Sequence, residues 1–345
     1  MRNRTLLVLL GLLFVFSSYI VTVNKPRPKK IKFPSNFPGV TYDLKNNPIT
    51  QEGFALGRAL FYDNELSRDS SVSCASCHQQ SSAFVQADHD LSHGVEDRLG
   101  RRNSLPIFNT LYKRSFFWDG GVPLLDFVPV NPIENEFEMD EKMDHVVWKL
   151  NQSKPYKLLF KNAFGADSIS SKYLLQAFSQ FMNAMISANS KYDKYVRKEG
   201  VVFSIAEKKG LYLFEKKCAS CHAGALFTDD SFKNNGLQSS YYSDKGREDI
   251  TLDIADRASF KVPSLRNVAL TAPYMHDGRF NTLSEVLNHY SNGVKMSPTL
   301  DSLLQKRSRI GIPLTGQEKV YIITFLKTLT DYTLINNPEF SNPYR

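Results

Sequence analysis

Cys74-Ala75-Ser76-Cys77-His78 returns letter for letter as Cys218-Ala219-Ser220-Cys221-His222, and the two pentapeptides hold all four cysteines of the 345-residue chain. No cysteine is left over for a disulfide framework. C-x-x-C-H is the pattern of c-type haem attachment, and its spacing has a mechanical cause. Two intervening residues let both thiols reach the vinyl groups of one porphyrin, while the adjoining His presents an imidazole nitrogen to the iron. A four-Cys zinc site would need both pairs to meet in space and would leave two histidines without a task. The expectation is two covalently bound haem c groups, attached through Cys74, Cys77, Cys218 and Cys221, with His78 and His222 as the proximal iron ligands.

The repeat reaches outward from the pentapeptides. Gly57-Arg58-Ala59-Leu60-Phe61 precedes the first and Gly210-Leu211-Tyr212-Leu213-Phe214 the second, both reading G-x-x-L-F; Ala83-Phe84 and Ala225-Leu226-Phe227 follow them. Ser204 with Glu207 forms a capping box before the second helix, and Thr315 with Glu318 forms another before the apolar run from Val320 to Leu329. Tyr173, Leu174, Ala177, Phe178, Phe181, Met182 and Met185 recur at three and four, which predicts a core-facing helical stripe. The fold class expected is mainly α. The predicted layout is residues 1–24 as signal anchor or signal peptide, 25–44 as a Pro/Lys-rich linker, 45–198 as an N-terminal haem c domain and 199–335 as a C-terminal one.

Charge and hydropathy add a compartment. Lys and Arg number 43 against 35 Asp and Glu, but residues 1–42 contain Arg2, Arg4, Lys25, Arg27, Lys29, Lys30 and Lys32 and no acid, so the remaining body is near neutral. A basic nucleic-acid face is therefore not expected. Thr5 to Val23 carries no charge and would span about 28 Å as a helix, enough to cross a hydrocarbon core. Small residues of A-x-A type are missing after it, so an uncleaved anchor is preferred to a cleaved signal peptide. Pro26, Pro28, Pro34 and Pro38 then read as an extended spacer. Covalent haem attachment of this type takes place outside the bacterial cytoplasmic membrane, so the body is expected in the periplasm.

From Gln51 to Asp331 the chain resembles the bacterial dihaem cytochrome c peroxidase family, which includes a related dihaem oxidase that matures tryptophan-derived cofactors. Beyond the haem motifs the resemblance rests on Gly100-Arg101-Arg102-Asn103-Ser104, Phe116-Phe117-Trp118-Asp119-Gly120, Asn131-Pro132-Ile133-Glu134 through Glu138-Met139, Phe260 to Asn267, and Pro273-Tyr274-Met275-His276-Asp277-Gly278. It implies two class-I-like cytochrome c domains facing each other, a peroxidatic N-terminal haem and an electron-relaying C-terminal one. Trp118 matches the tryptophan between the haems, and Glu138 the distal acid that moves a proton during O–O cleavage. Composition alone does not choose Glu138 over Glu134, Glu136 and Asp140. Asn103, Thr271 and Pro273 match positions that help to bind an interdomain calcium, whose preference is for hard oxygen donors.

Three positions depart from the peroxidase pattern. Val128 stands where the peroxidases usually carry Gln, which removes a hydrogen-bond donor. His93 is the nearest candidate for a loop ligand to the N-terminal iron, against the reading of an exposed loop histidine; His89, His145 and His289 read as surface or structural residues. Tyr290 occupies the place of the Met ligand to the C-terminal iron, as in the cofactor-maturing oxidase, although Lys216 stands where that oxidase has a tryptophan. Tyr290 also reads as a core tyrosine, and Met275 and Met296 are competing ligands outside the register. The function implied is reduction of hydrogen peroxide with electrons from a small periplasmic donor such as a monohaem cytochrome c or cupredoxin. The alternatives are oxidation of a protein or organic substrate through high-valent haems, or electron carriage alone. Homodimers are usual in the family.

Overall fold

Seven helices position the rest of the chain: α1 (Gln51–Phe61), α2 (Met143–Gln152), α3 (Lys154–Phe164), α4 (Ser171–Ala184), α5 (Ile205–Lys217), α6 (Leu283–Asn288) and α7 (Gly316–Lys327). Their starts follow side-chain chemistry. Thr50 accepts from the Gly53 amide, Ser170 from Tyr173, and both expected capping boxes are formed, Ser204 with Glu207 and Thr315 with Glu318. The computed structural model describes residues 25–344 other than 88, 241–242 and 307–308. The apolar stretch Thr5–Val23 lies outside them, and among the described residues no helix is long and apolar enough to cross a membrane. Among the described residues strand structure is confined to two short antiparallel ribbons, Phe232–Lys233 with Phe260–Lys261 and Gln305–Lys306 with Arg309–Ile310.

The G-x-x-L-F repeat has a packing reason. A Cβ on Gly57 of α1 would lie 2.0 Å from the Ala177 carbonyl oxygen and 2.9 Å from Phe181 Cβ on α4; on Gly210 of α5 it would lie 2.0 Å from the Tyr321 oxygen and 2.7 Å from Phe325 Cβ on α7. Each glycine lets one helix rest on the backbone of another, and a phenylalanine packs at each crossing. Around them grow two apolar cores. Leu56, Leu60, Phe84, Phe178 and Phe181 belong to the first, and Phe203, Phe214, Phe227, Ile322 and Phe325 to the second. The stripe from Leu174 to Met185 is buried as expected, with Tyr173 at its edge.

Where the cores meet, Arg266 is fully buried with both guanidinium nitrogens on Asp193, at 2.8 and 2.9 Å, and its Nε donates to the Ala225 carbonyl. Burial works against the Asp193 charge, but the hydrogen bonds and charge of Arg266 hold its carboxyl below the usual range. Asn267 donates to Ser187 Oγ and accepts from the Asp331 amide.

Two segments depart from the expected layout. Residues 25–44 are a packed strap, not a free spacer. Lys29 and Gln51 exchange backbone hydrogen bonds with Ile49 and Arg27, Ile31, Tyr42 and Leu44 lie against the first core, and Phe37 lies beneath the Arg266 guanidinium at 4.4 Å. Its apolar residues are too irregularly spaced to register as an element, yet these four find packing partners, while Phe33 and Val40 stay exposed. At the other end, Leu334, Ile335 and Phe340 return to the first core, so the expected C-terminal domain limit at 335 cuts through a segment that packs on the other half.

Gly210→Ala is expected to lower the stability of the haem-loaded protein by about 1–3 kcal/mol, the usual cost of overpacking, because a carbonyl cannot move aside. Gly39→Ala, with nothing within 4 Å of the new methyl, is the control. Urea denaturation followed by circular dichroism measures both.

Candidate haem centres

The second C-x-x-C-H opens onto a cavity of about 640 Å³, within the span of cofactor pockets. Cys218, Cys221 and His222 line it, as do Leu283, Val286, Leu287 and Tyr290. His222 Nδ1 donates to the carbonyls of Phe227 and Pro263, each at 3.2 Å, which fixes the tautomer and leaves the Nε2 lone pair for iron. Burial keeps this imidazole neutral, below its ordinary pKa. Free thiols, a pre-set imidazole and an apolar slot fit a covalently held haem.

The first motif repeats the arrangement. His78 Nδ1 donates to the Phe84 carbonyl at 2.9 Å, and burial again holds the ring neutral. Phe84 and Phe227 both have positive φ, 61° and 54°, a conformation that turns their carbonyls back onto the histidine. Burial pushes the Cys74 and Cys77 thiols up to about 12 and 11, with the nearby Glu138 charge acting in the same direction. Of the four clustered acids, Glu134 and Glu136 are exposed and Asp140 pairs with Arg68 and Arg98. Glu138 is half-buried, and burial raises its pKa against the hydrogen bond that Asn135 Nδ2 donates at 2.8 Å. Asn135 went unnoticed in the sequence; its Oδ1 also accepts from the Phe137 amide, so it shapes the turn that carries Glu138.

The loop holding His93 borders this site. Ser92 hydrogen-bonds Cys77, and the Val95 amide donates to the Glu138 carbonyl. The His93 ring itself is half-buried, paired with Asp97 and 4.9 Å from His89. His145 stacks on Trp148, and buried His289 bonds the Asn235 carbonyl through Nε2 at 3.0 Å. Val128 is partly buried and packs on the first core.

Trp118 is 8% exposed and lines the second cavity, its Nε1 donating to the Asn103 carbonyl at 2.8 Å. Beside it stands His276, whose ring stacks on Phe260 at 3.6 Å. Asn103 Nδ2 donates to the Pro273 carbonyl at 2.6 Å, and Thr271 lines the same cavity. Two of the three expected calcium positions thus touch directly, here through the amide nitrogen. Among the described residues no group of three or more His, Cys, Asp or Glu is arranged to hold a metal ion. Lys216 lies on the cavity rim over Tyr212. Met275 lines the second cavity as well, contrary to its position outside the register, whereas Met296 is 52% exposed.

Residues 51–200 match the family model of the di-haem cytochrome c peroxidases. The chain is 34% identical to the methylamine utilization protein MauG of Methylorubrum extorquens, over 83% of this chain and 80% of that one. It is 31% identical to the cytochrome c551 peroxidase of Nitrosomonas europaea, over 84% and 81%. The crystal structure of a MauG-like protein associated with microbial copper homeostasis superposes with a TM-score of 0.83 at 32% identity, covering 92% of this chain and all of that one. With two C-x-x-C-H motifs, two pre-set histidines and these relatives, the chain is an oxidoreductase of the di-haem cytochrome c peroxidase and MauG family, carrying two covalently bound c-type haems.

Proposed function

We propose that the chain reduces hydrogen peroxide to water at the Cys74–His78 site, with electrons from a small donor such as a monohaem cytochrome c or cupredoxin. What supports this is Glu138: a half-buried carboxyl oriented by Asn135 and close enough for its charge to act on both cysteines of the first motif. A haem bound there supplies iron to which peroxide can bind and from which it takes electrons. Cleavage of the O–O bond requires a proton to leave one peroxide oxygen and arrive on the other. Glu138 does both, accepting the first as carboxylate and returning it as acid. Its raised pKa brings the protonated form closer to neutral pH, and with two electrons and two protons the products are two waters. Without a glutamine at Val128, the Asn135–Glu138 pair carries the polar work of this pocket. Trp118, His276 and Phe260 give a buried aromatic bridge beside the second cavity.

In this reading residues 45–198 and the part of the chain from 199 up to the returning tail are two class-I-like haem c domains facing each other, joined by strap and tail, and the body works in the periplasm, where such haems are attached. Asn103, Thr271 and Pro273 offer amide and carbonyl oxygens for a calcium ion between them. Tyr290, which lines the second cavity, would supply the oxygen ligand of the second iron. That ligand favours the second reading, a dihaem oxidase of an organic or protein substrate, because an anionic oxygen stabilises oxidised iron where a thioether stabilises reduced iron.

Glu138→Gln is expected to slow peroxide turnover by roughly 10²–10⁴-fold with both haems retained, and Glu134→Gln to do much less. Stopped-flow kinetics with peroxide decides; unchanged rates in the Glu138 variant would return the role to a neighbour. Tyr290→Phe is expected to alter the absorption spectrum of the second haem and raise its reduction potential, measured by redox titration.

A further inference from the structure

Asn235 occupies a loop that is clamped on both sides. The preceding Asn234 is buried, with its amide on Ser297 Oγ and Thr299 Oγ1 at 2.9 Å each and its Oδ1 accepting from the Gly236 amide. Gly236 has φ +70°, and a Cβ there would sit 2.6 Å from Val294 Cγ1 and 2.9 Å from the Lys295 carbonyl, so the loop is pressed against the segment after α6. The Asn235 carbonyl accepts from His289, the residue before Tyr290. A backbone held this firmly gives its side chain a fixed origin.

That side chain lies in the second cavity between two side chains able to bind iron. Its Nδ2 donates to Met275 Sδ at 3.5 Å, within reach for a sulfur acceptor, and its amide also hydrogen-bonds the Tyr290 phenol. Tyr290 stands in a π-turn, His289–Gly293, and its carbonyl accepts from the Ile312 amide at 2.7 Å, so its backbone is pinned. Met275 is anchored differently. Its backbone is fixed at φ +76°, with the carbonyl accepting from Asn103 and Gly278, while the thioether is an unbranched, flexible group.

We infer that Asn235 selects the ligand of the second haem: its amide ties the Met275 thioether back and orients the Tyr290 oxygen toward the iron. This rests on the reading of Tyr290 as that ligand. The two candidates pull the iron in opposite directions, a soft thioether toward the reduced state and an oxygen donor toward the oxidised state. One neutral amide therefore sets the redox character of the relay site without touching the metal. Asn235 is a positioning residue.

The test uses the haem-loaded full chain and reads the second haem by absorption, low-temperature electron paramagnetic resonance and redox titration. Asn235→Leu removes the amide and is expected to shift that haem toward thioether ligation with a higher potential. Asn235→Leu with Met275→Leu is expected to abolish the thioether signature. An unshifted Asn235→Leu spectrum and potential, or a shift that persists in the double variant, overturns the inference. Met275→Leu alone is expected to leave the second haem as in the parent, so a lost thioether signal there also overturns it, even if Asn235→Leu does not accumulate. Tyr290→Phe separates the two readings: a silent Tyr290→Phe removes the ligand assignment itself, whereas an altered Tyr290→Phe beside a silent Asn235→Leu leaves Tyr290 as ligand and removes only the selector.

Discussion

A guanidinium with no water contact holds the molecule together. Arg266 is closed off by Asp193, the Ala225 carbonyl and the rings of Phe37 and Phe227. A charge so buried is tolerated because each of the three guanidinium nitrogens donates to an acceptor, two of them on the Asp193 carboxylate, and stripping away one partner of such a pair costs about 3–5 kcal/mol. The contacts come from three separate parts of the chain: the strap with Phe37, the connection after α4 with Asp193, and the turn behind the second haem motif with Ala225 and Phe227. Asn267 extends the same knot to Ser187 and Asp331. Thus the two cores are registered by directional polar contacts, which set an orientation that apolar packing alone would leave loose.

From that registration follows the near-equivalence of the haem centres. In both, a glycine crossing fixes the helix before the motif, and a phenylalanine of positive φ turns its carbonyl onto the proximal histidine. The differences lie in the side chains nearby. Beside the first stands a carboxyl whose pKa burial raises; the second cavity is lined by a phenol, a thioether and an amide. Duplication supplied two similar haem mounts, and the side chains around them have since diverged.

Much of this was legible because it is local. Capping boxes at Ser204 and Thr315, the stripe from Leu174 to Met185 and the twin pentapeptides each declare themselves within a dozen residues. Glu138 was separable from its neighbours only by family pattern, since burial is a property of the folded turn and Asn135 that shapes it carries no motif. Met275 looked misplaced because register was counted along the chain, whereas a left-handed backbone at that residue carries the side chain into the cavity. Asn235 gave no signal at all: a single amide in an irregular loop acquires meaning only from what converges on it. The strap failed in the opposite sense, its prolines and lysines resembling a spacer while Tyr42 packs against the first core and Phe37 against the Arg266 guanidinium.

The tail that returns to the first core joins segments far apart in the chain. Arg58 Nη2 and Nε reach the carbonyls of Pro338 and Ser341, Tyr62 reaches that of Phe340, and Gln80 those of Leu334 and Asn337. These partners are separated by more than 250 residues. The cover of α1 and of the segment behind Cys77 is therefore long-range in sequence, and contacts that must first close so long a loop slow folding relative to local ones. Packing of the first core thus depends on segments from opposite ends of the described chain.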